Sequence, residues 1–113
     1  MSRTIPRAYV TAAWSKNRFE AEEEARRYCR ELVKAEYMPV CPTLSYSGVF
    51  DDKDPDACKK LREMSEDDLR RARFLVICGG VINDDVKEDF SIAKRAKVIS
   101  TTLEGSCGVD SWC

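Results

Sequence analysis

Residues 74–93 read FLVICGGVINDDVKEDFSIA, and this stretch decides the fold. Five apolar residues run up to Gly79 and Gly80, which predicts a buried strand that ends in a glycine turn. The amphipathic segment after the turn predicts a helix from Asp84 or Asp85 to Ala96. Because ligands bind beyond the carboxyl ends of strands in open parallel sheets, the acids on this helix form a candidate site: Asp84, Asp85, Glu88 and Asp89.

The rest of the chain continues an alternation of strands and helices. Apolar, β-favouring runs predict strands at residues 8–13, 37–41 and 98–102. Amphipathic spacing predicts helices at residues 18–35 and 55–72. Such an alternation is typical of a parallel sheet with right-handed crossovers.

Two features interrupt this pattern. The serine-to-acid spacing that begins at Ser65 is that of a capping box, and it predicts that the helix over residues 55–72 is broken there. Residues 43–55 form the longest irregular stretch, which predicts a lid or a subunit contact. This stretch combines aromatic and acidic side chains, namely Tyr46, Phe50, Asp51 and Asp52.

The prolines predict the order of the strands. Pro39 and Pro42 suit the edge of a sheet, so the second strand lies at the border and the order is 2-1-3-4. The predicted fold class is α/β, a small flavodoxin- or Rossmann-like three-layer sandwich with a four-stranded parallel sheet. Residues 1–101 form this domain, and residues 102–113 form a C-terminal tail without periodicity.

This strand order places a topological switch point between the first and third strands. The turns that follow those two strands then flank one crevice, and two helices begin there. Ser15 and Asn17 are also candidate helix caps. A large aromatic side chain such as Trp14 is well shaped to stack on a ring at the mouth of a crevice, although core packing suits it equally. The turns supply these candidate ligand-binding residues: Ala13, Trp14, Ser15, Asn17, Gly79, Gly80 and Asn83.

Charge and composition narrow the range of partners. Nineteen basic and twenty acidic residues give a formal net charge of −1, which argues against nucleic acid as a partner. We find neither a membrane-spanning stretch nor a signal peptide, and therefore expect a cytoplasmic protein.

The chain has no histidine and no C-x-x-C pair, so we predict neither a metal site nor a cofactor. We interpret Cys29, Cys41 and Cys78 as small buried residues. A disulfide bridge between Cys107 and Cys113 would be unusual in a reducing compartment.

Several of these segments together resemble the nucleoside 2-deoxyribosyltransferase superfamily, most closely its small bacterial and phage relatives. The resemblance rests on residues 9–15 (YVTAAWS), the long helix and Pro-containing strand, the aromatic loop with Asp51 and Asp52, and residues 83–93 (NDDVKEDFSIA). It implies an enzyme that uses a carboxylate to attack the anomeric carbon of a deoxyribose, and a dimer or larger homo-oligomer. By position the nucleophile falls on Asp89, where the superfamily usually has glutamate, with Asp84 or Asp85 as helper.

Three hypotheses follow from these observations. The first is an N-glycosidic bond hydrolase or deoxyribosyl transferase that acts on a nucleoside or nucleotide, with Trp14, Phe50 and Asp52 as ligand contacts. The second is a binding module that has kept the crevice and lost the reaction. The third is an inhibitory interaction protein, of the phage type, that engages a protein partner through residues 43–55 and the cysteine tail. Asp84 and Asp85 also suit a purely structural role at the positive end of a helix dipole.

Overall fold

The computed structural model describes residues 5–50 and 53–103. Its four strands form one parallel sheet of order β2-β1-β3-β4, which confirms the predicted α/β class and strand order. The strands and helices of the described part are, in chain order, β1 (Arg7–Ala12), α1 (Arg18–Lys34), β2 (Met38–Val40), α2 (Pro42–Ser45), α3 (Pro55–Arg71), β3 (Phe74–Cys78), α4 (Asp84–Arg95) and β4 (Ile99–Thr102).

The sheet separates two apolar layers. Successive residues of a strand point to opposite faces, so Val10 of β1 packs with Ala25 and Leu32 of α1 on one face. On the other face Tyr9 packs with Leu69 of α3 and Ile92 of α4. The arrangement is therefore a three-layer sandwich, with α1 on one side and α3 and α4 on the other.

Helix α1 begins at the predicted cap. The Asn17 side chain accepts a hydrogen bond from the backbone N–H of Glu20, which satisfies one of the free donors of the first turn. The buried stripe of this helix is narrower than the full set of its apolar residues, however. Ala21, Ala25 and Leu32 are buried, whereas Phe19 and Val33 are 73% and 59% exposed because they lie to the side of the sheet-facing stripe.

The predicted break at Ser65 is wrong, because α3 runs without interruption from Pro55 to Arg71. Asp54, instead of Ser65, caps this helix by accepting a hydrogen bond from the N–H of Asp56 at 3.0 Å. The stretch predicted to be irregular also contains the single-turn helix α2, which Pro42 opens.

The glycine turn after β3 is required by close packing. Gly79 and Gly80 have φ values of 86° and 77°, a region that side chains rarely adopt. A Cβ atom on Gly79 would also lie 2.9 Å from the hydroxyl oxygen of Tyr28. The turn therefore lets α1 approach the end of β3.

Some sequence-based expectations fall outside the described residues, namely those for Asp51, Asp52, Cys107, Cys113 and residues 104–113. Within the described part, no helix has both the length and the apolar character needed to cross a membrane.

Neighbouring residues of α1 provide a test of the core. Leu32→Ala removes a fully buried side chain, and we expect it to lower the free energy of unfolding by about 2–5 kcal/mol. Val33→Ala is the matched control, since Val33 is exposed and its truncation should change stability by no more than about 0.5 kcal/mol. Urea denaturation followed by circular dichroism measures both. Equal losses in the two variants would contradict the assignment of the buried face.

Candidate functional site

A pocket of about 340 Å³ opens on the α3–α4 face of the sheet. Its floor comes from β1, one wall from α3 and another from α4, and Trp14 lies just beyond the carboxyl end of β1. The volume falls at the lower end of the range of about 300–1,000 Å³ that is typical of small-molecule sites. The residues that line it include Tyr9, Thr11, Trp14, Arg62, Ser65, Glu66, Asp85, Glu88 and Asp89.

Asp89 is fixed in this pocket by a hydrogen bond from the sheet. The Thr11 hydroxyl donates to Asp89 Oδ2 at 2.6 Å, joining β1 to the middle of α4. The bond engages one carboxylate oxygen, Oδ2, and the other oxygen, Oδ1, takes no part in it. Its length is typical of a charge-assisted hydrogen bond, so it holds the carboxylate in one orientation.

The environment of Asp89 makes ionisation of its carboxyl group less favourable than in water. Burial raises the pKa of Asp89 above its ordinary value, the hydrogen bond from Thr11 opposes the rise, and the neighbouring charges of Glu88 and Asp85 add to it. Partial burial in a cleft together with nearby like charges is the pattern by which proteins tune a reactive carboxyl group.

A second polar pair lies beside this carboxylate. Tyr9 of β1 is buried, and it lines the pocket together with Ser65 of α3. Burial is the largest cause of a raised pKa for Tyr9, the charge of Asp89 also raises it, and the neighbouring Ser65 side chain lowers it. The Tyr9 phenol therefore stays protonated at neutral pH.

The pocket is rich in negative charge. Glu66, Asp85, Glu88 and Asp89 line it, and the basic side chain among its lining residues is that of Arg62. The Arg62 guanidinium is already 3.9 Å from the Glu88 carboxylate. A ligand that is neutral or positively charged therefore suits this pocket better than one that carries several phosphates.

The structure brings together part of the predicted site. Asp85, Asp89 and Trp14 line one pocket, as does Glu88. Asp84 is exposed and does not line it. Asn83 caps α4 by accepting a hydrogen bond from the N–H of Val86 at 3.0 Å.

The remaining candidates serve other contacts. The Ser15 hydroxyl donates to Glu20 Oε2 at 2.9 Å, and Asn17 caps α1. Phe50 packs edge-to-face on Tyr46 at a centroid distance of 6.0 Å. None of these three side chains lines the pocket, and neither do Ala13, Gly79 and Gly80. Asp52 lies outside the described residues.

Sequence reasoning missed Tyr9, Thr11 and Ser65. Period-2 alternation places Tyr9 and Thr11 on one face of β1, and this signal was available in the sequence. The sequence does not show that this face of β1 meets α4, because that contact depends on how the layers pack. Ser65 was assigned to a helix cap because its local spacing matches one.

The described residues contain no group of three or more Cys, Asp or Glu side chains arranged to hold a metal ion.

The shifted pKa of Asp89 makes a prediction about stability. Because its pKa is higher in the folded protein than in the unfolded chain, the folded state binds the proton more readily. Wild-type stability therefore falls as the pH rises through the interval between the two pKa values. Asp89→Asn removes this titration and keeps an oxygen that accepts from Thr11. We expect the variant to be at least as stable as wild type at neutral pH, with the advantage shrinking towards about pH 4.

Urea midpoints measured across this pH range test the prediction. Asp67→Asn is the matched control, because the Asp67 side chain is 59% exposed and pairs with Arg71 on the surface. Its replacement therefore removes no buried charge. A loss of stability in Asp89→Asn that does not vary with pH would contradict the assigned environment.

Comparison with known proteins places the chain in a family without assigning it an activity. Residues 6–102 match the family model described as Domain of unknown function (DUF7768), which spans the whole sheet and all the helices that build the pocket. None of the curated proteins matches the chain. Since the family model covers most of the sequence, the chain belongs to the DUF7768 family.

Proposed function

We propose that this protein cleaves or transfers the N-glycosidic bond of a nucleoside-like ligand, with Asp89 as the nucleophile. The observation that carries the proposal is the hydrogen bond that fixes Asp89 inside a pocket of small-molecule size. The resemblance to the nucleoside 2-deoxyribosyltransferase superfamily points to the same residue. A positioned carboxylate is a competent nucleophile toward an anomeric carbon.

The geometry suggests a role for each contact. Asp89 Oδ1, which lies outside the Thr11 hydrogen bond, attacks the anomeric carbon while the bond from that carbon to the base nitrogen breaks. The electron pair goes to the base, and Asp85 supplies the proton that the base takes up. Asp85 is better placed for this role than Glu88, whose carboxylate faces the Arg62 guanidinium. Water or a second base then attacks the glycosyl carbon, gives its proton to Asp85 and releases Asp89.

The charge of the pocket favours nucleosides over nucleotides. Four carboxylates line it and its arginine is engaged by Glu88, so a phosphate would meet net repulsion. Trp14 offers an apolar ring at the entrance, where a base can stack. A base with a sugar of no net charge is therefore the ligand class we propose.

A binding module that has lost catalysis is the second candidate. The observation that favours it is the short side chain of Asp89, one of whose oxygens is already held by Thr11. In this case the pocket would recognise a nucleoside-like ligand without breaking it.

Replacement of Asp89 tests catalysis. Purified protein is incubated with a panel of deoxyribonucleosides, with and without a second free base, and the products are separated by chromatography. We expect Asp89→Asn to lower turnover by about 10²–10⁴-fold or more, while Asp67→Asn leaves it unchanged. Turnover that survives Asp89→Asn would contradict the nucleophile, and ligand binding without turnover in the wild type would favour the binding module.

Replacement of Trp14 tests ligand recognition. The chain has two tryptophans, Trp14 and Trp112, so in a Trp112→Phe background the fluorescence reports on Trp14 alone. A nucleoside that stacks on this ring should quench it. Trp14→Leu should weaken binding, measured by calorimetry, by about 1–3 kcal/mol, whereas Phe19→Leu, at an exposed position of α1, should not. Unchanged affinity in Trp14→Leu would show that Trp14 serves packing alone.

A further inference from the structure

Helix α1 carries a row of exposed side chains on the face that points away from the sheet. Residues seven apart lie on nearly the same side of a helix, so Phe19, Arg26 and Val33 follow one another along this outer face. Phe19 and Val33, at the two ends of the row, are 73% and 59% exposed. They are about 21 Å apart along the helix axis.

A groove lies at the Val33 end of this row. Its volume is about 570 Å³, and it is open to solvent. It combines apolar side chains with three cations, and its lining residues are Cys29, Val33, Leu44, Arg26, Arg30 and Lys34. An aromatic ring suits such a groove, because the ring packs on the apolar side chains and its face attracts the cations. One helix face therefore presents both an exposed phenylalanine and a groove that fits one.

The charges of α1 are divided between its two halves. Residues 20–24 contain four glutamates and no base, whereas residues 26–34 contain four bases and one glutamate. The Arg26 guanidinium is satisfied within the helix, 2.6 Å from Glu23 Oε1. Arg30 pairs with no carboxylate in the described part of the chain, and its Nε donates to the backbone oxygen of Arg26. The Arg30 charge is therefore available to an acid from another molecule.

We propose that two copies of this chain associate through the outer faces of their α1 helices, which pack antiparallel about a twofold axis beside Arg26. Phe19 and Val33 are each seven residues from Arg26, so Phe19 of one copy falls opposite Val33 of the other and enters its groove. Glu23 and Arg30 lie on one flank of the row, three residues before and four residues after Arg26. The same axis therefore brings Glu23 of one copy to Arg30 of the other.

Self-complementarity identifies a second copy as the occupant of this face. The phenylalanine, the groove, the acid and the available cation all lie on one helix, and a single twofold operation matches two of each at once. A parallel arrangement would place Phe19 against Phe19 and leave both grooves empty. The surface lies across the sheet from the pocket, so the inference does not depend on the function proposed there.

The length of the contact sets the strength of the dimer. One helix face of about 21 Å is short compared with the interfaces of permanent dimers. We therefore expect a weak dimer, which forms at high protein concentration and dissociates in dilute solution. Stability measurements in dilute solution then report on the single chain.

Analytical ultracentrifugation of the full chain tests the association. We expect the average mass of the wild type to rise from that of one chain to that of two as the concentration increases. Phe19→Ala leaves the groove of the second copy unfilled and should raise the dissociation constant about tenfold or more. A wild type that stays monomeric up to millimolar concentration would overturn the proposal and leave this face to a different partner.

Charge exchange tests the antiparallel register. Arg30→Glu places two acids opposite each other in the dimer, and Glu23→Arg places two bases opposite each other. Each variant alone should therefore associate several-fold more weakly than wild type. In a mixed dimer of the two variants, both acid–base pairs form again. We expect the mixture to associate more tightly than either variant by itself.

The matched control is Arg71→Glu, which reverses an exposed arginine of α3 on the other side of the sheet and should leave association unchanged. A wild-type dimer that neither Phe19→Ala nor Arg30→Glu weakens would use another surface. A mixture that associates no more tightly than its components would contradict the register. Circular dichroism checks that each variant is folded, and the wild-type concentration series requires no variant.

Discussion

The hydrogen bond between Thr11 and Asp89 is the interaction on which the candidate site depends. It joins residues 78 positions apart in the sequence, and it can form only because β1 lies inside the sheet and α4 packs across its carboxyl end. The same packing turns Tyr9 toward Ser65 of α3. The pocket is thus a consequence of strand order: if β1 lay at the edge, α3 and α4 would have no shared strand to face.

The parts of the fold that local patterns determine were predicted from the sequence. The apolar run at Phe74–Cys78 has the bounds of β3, and the prolines near β2 identified the edge of the sheet. Asp89 became a candidate because acids crowd a helix that begins at the carboxyl edge of the sheet. The sequence could not show that Thr11 donates to Asp89, because the partner of a strand residue depends on which helix covers its face. Ser65 was misassigned for the same reason.

The two faces of the sheet carry different chemistry. On the α3–α4 face, a carboxylate is held where burial and neighbouring acids resist its ionisation, a cost in stability that functional sites commonly carry. On the α1 face, the buried cluster is apolar and includes Cys41 and Cys78. Cys41 directly precedes Pro42 and Thr43, which line the pocket. A short segment of backbone therefore connects the apolar layer under α1 with the pocket.

Trapping of the glycosyl intermediate tests the role of Asp89 most directly. A 2-fluoro nucleoside withdraws electrons from the anomeric centre and slows release of the sugar, because the transition state resembles an oxocarbenium ion. Asp89 lies in tryptic peptide 88–94. We expect the intact protein to gain the mass of one fluorosugar, and that mass to map to Asp89 in this peptide. Release of base without a labelled protein, or a label on any other peptide, would contradict Asp89 as the nucleophile.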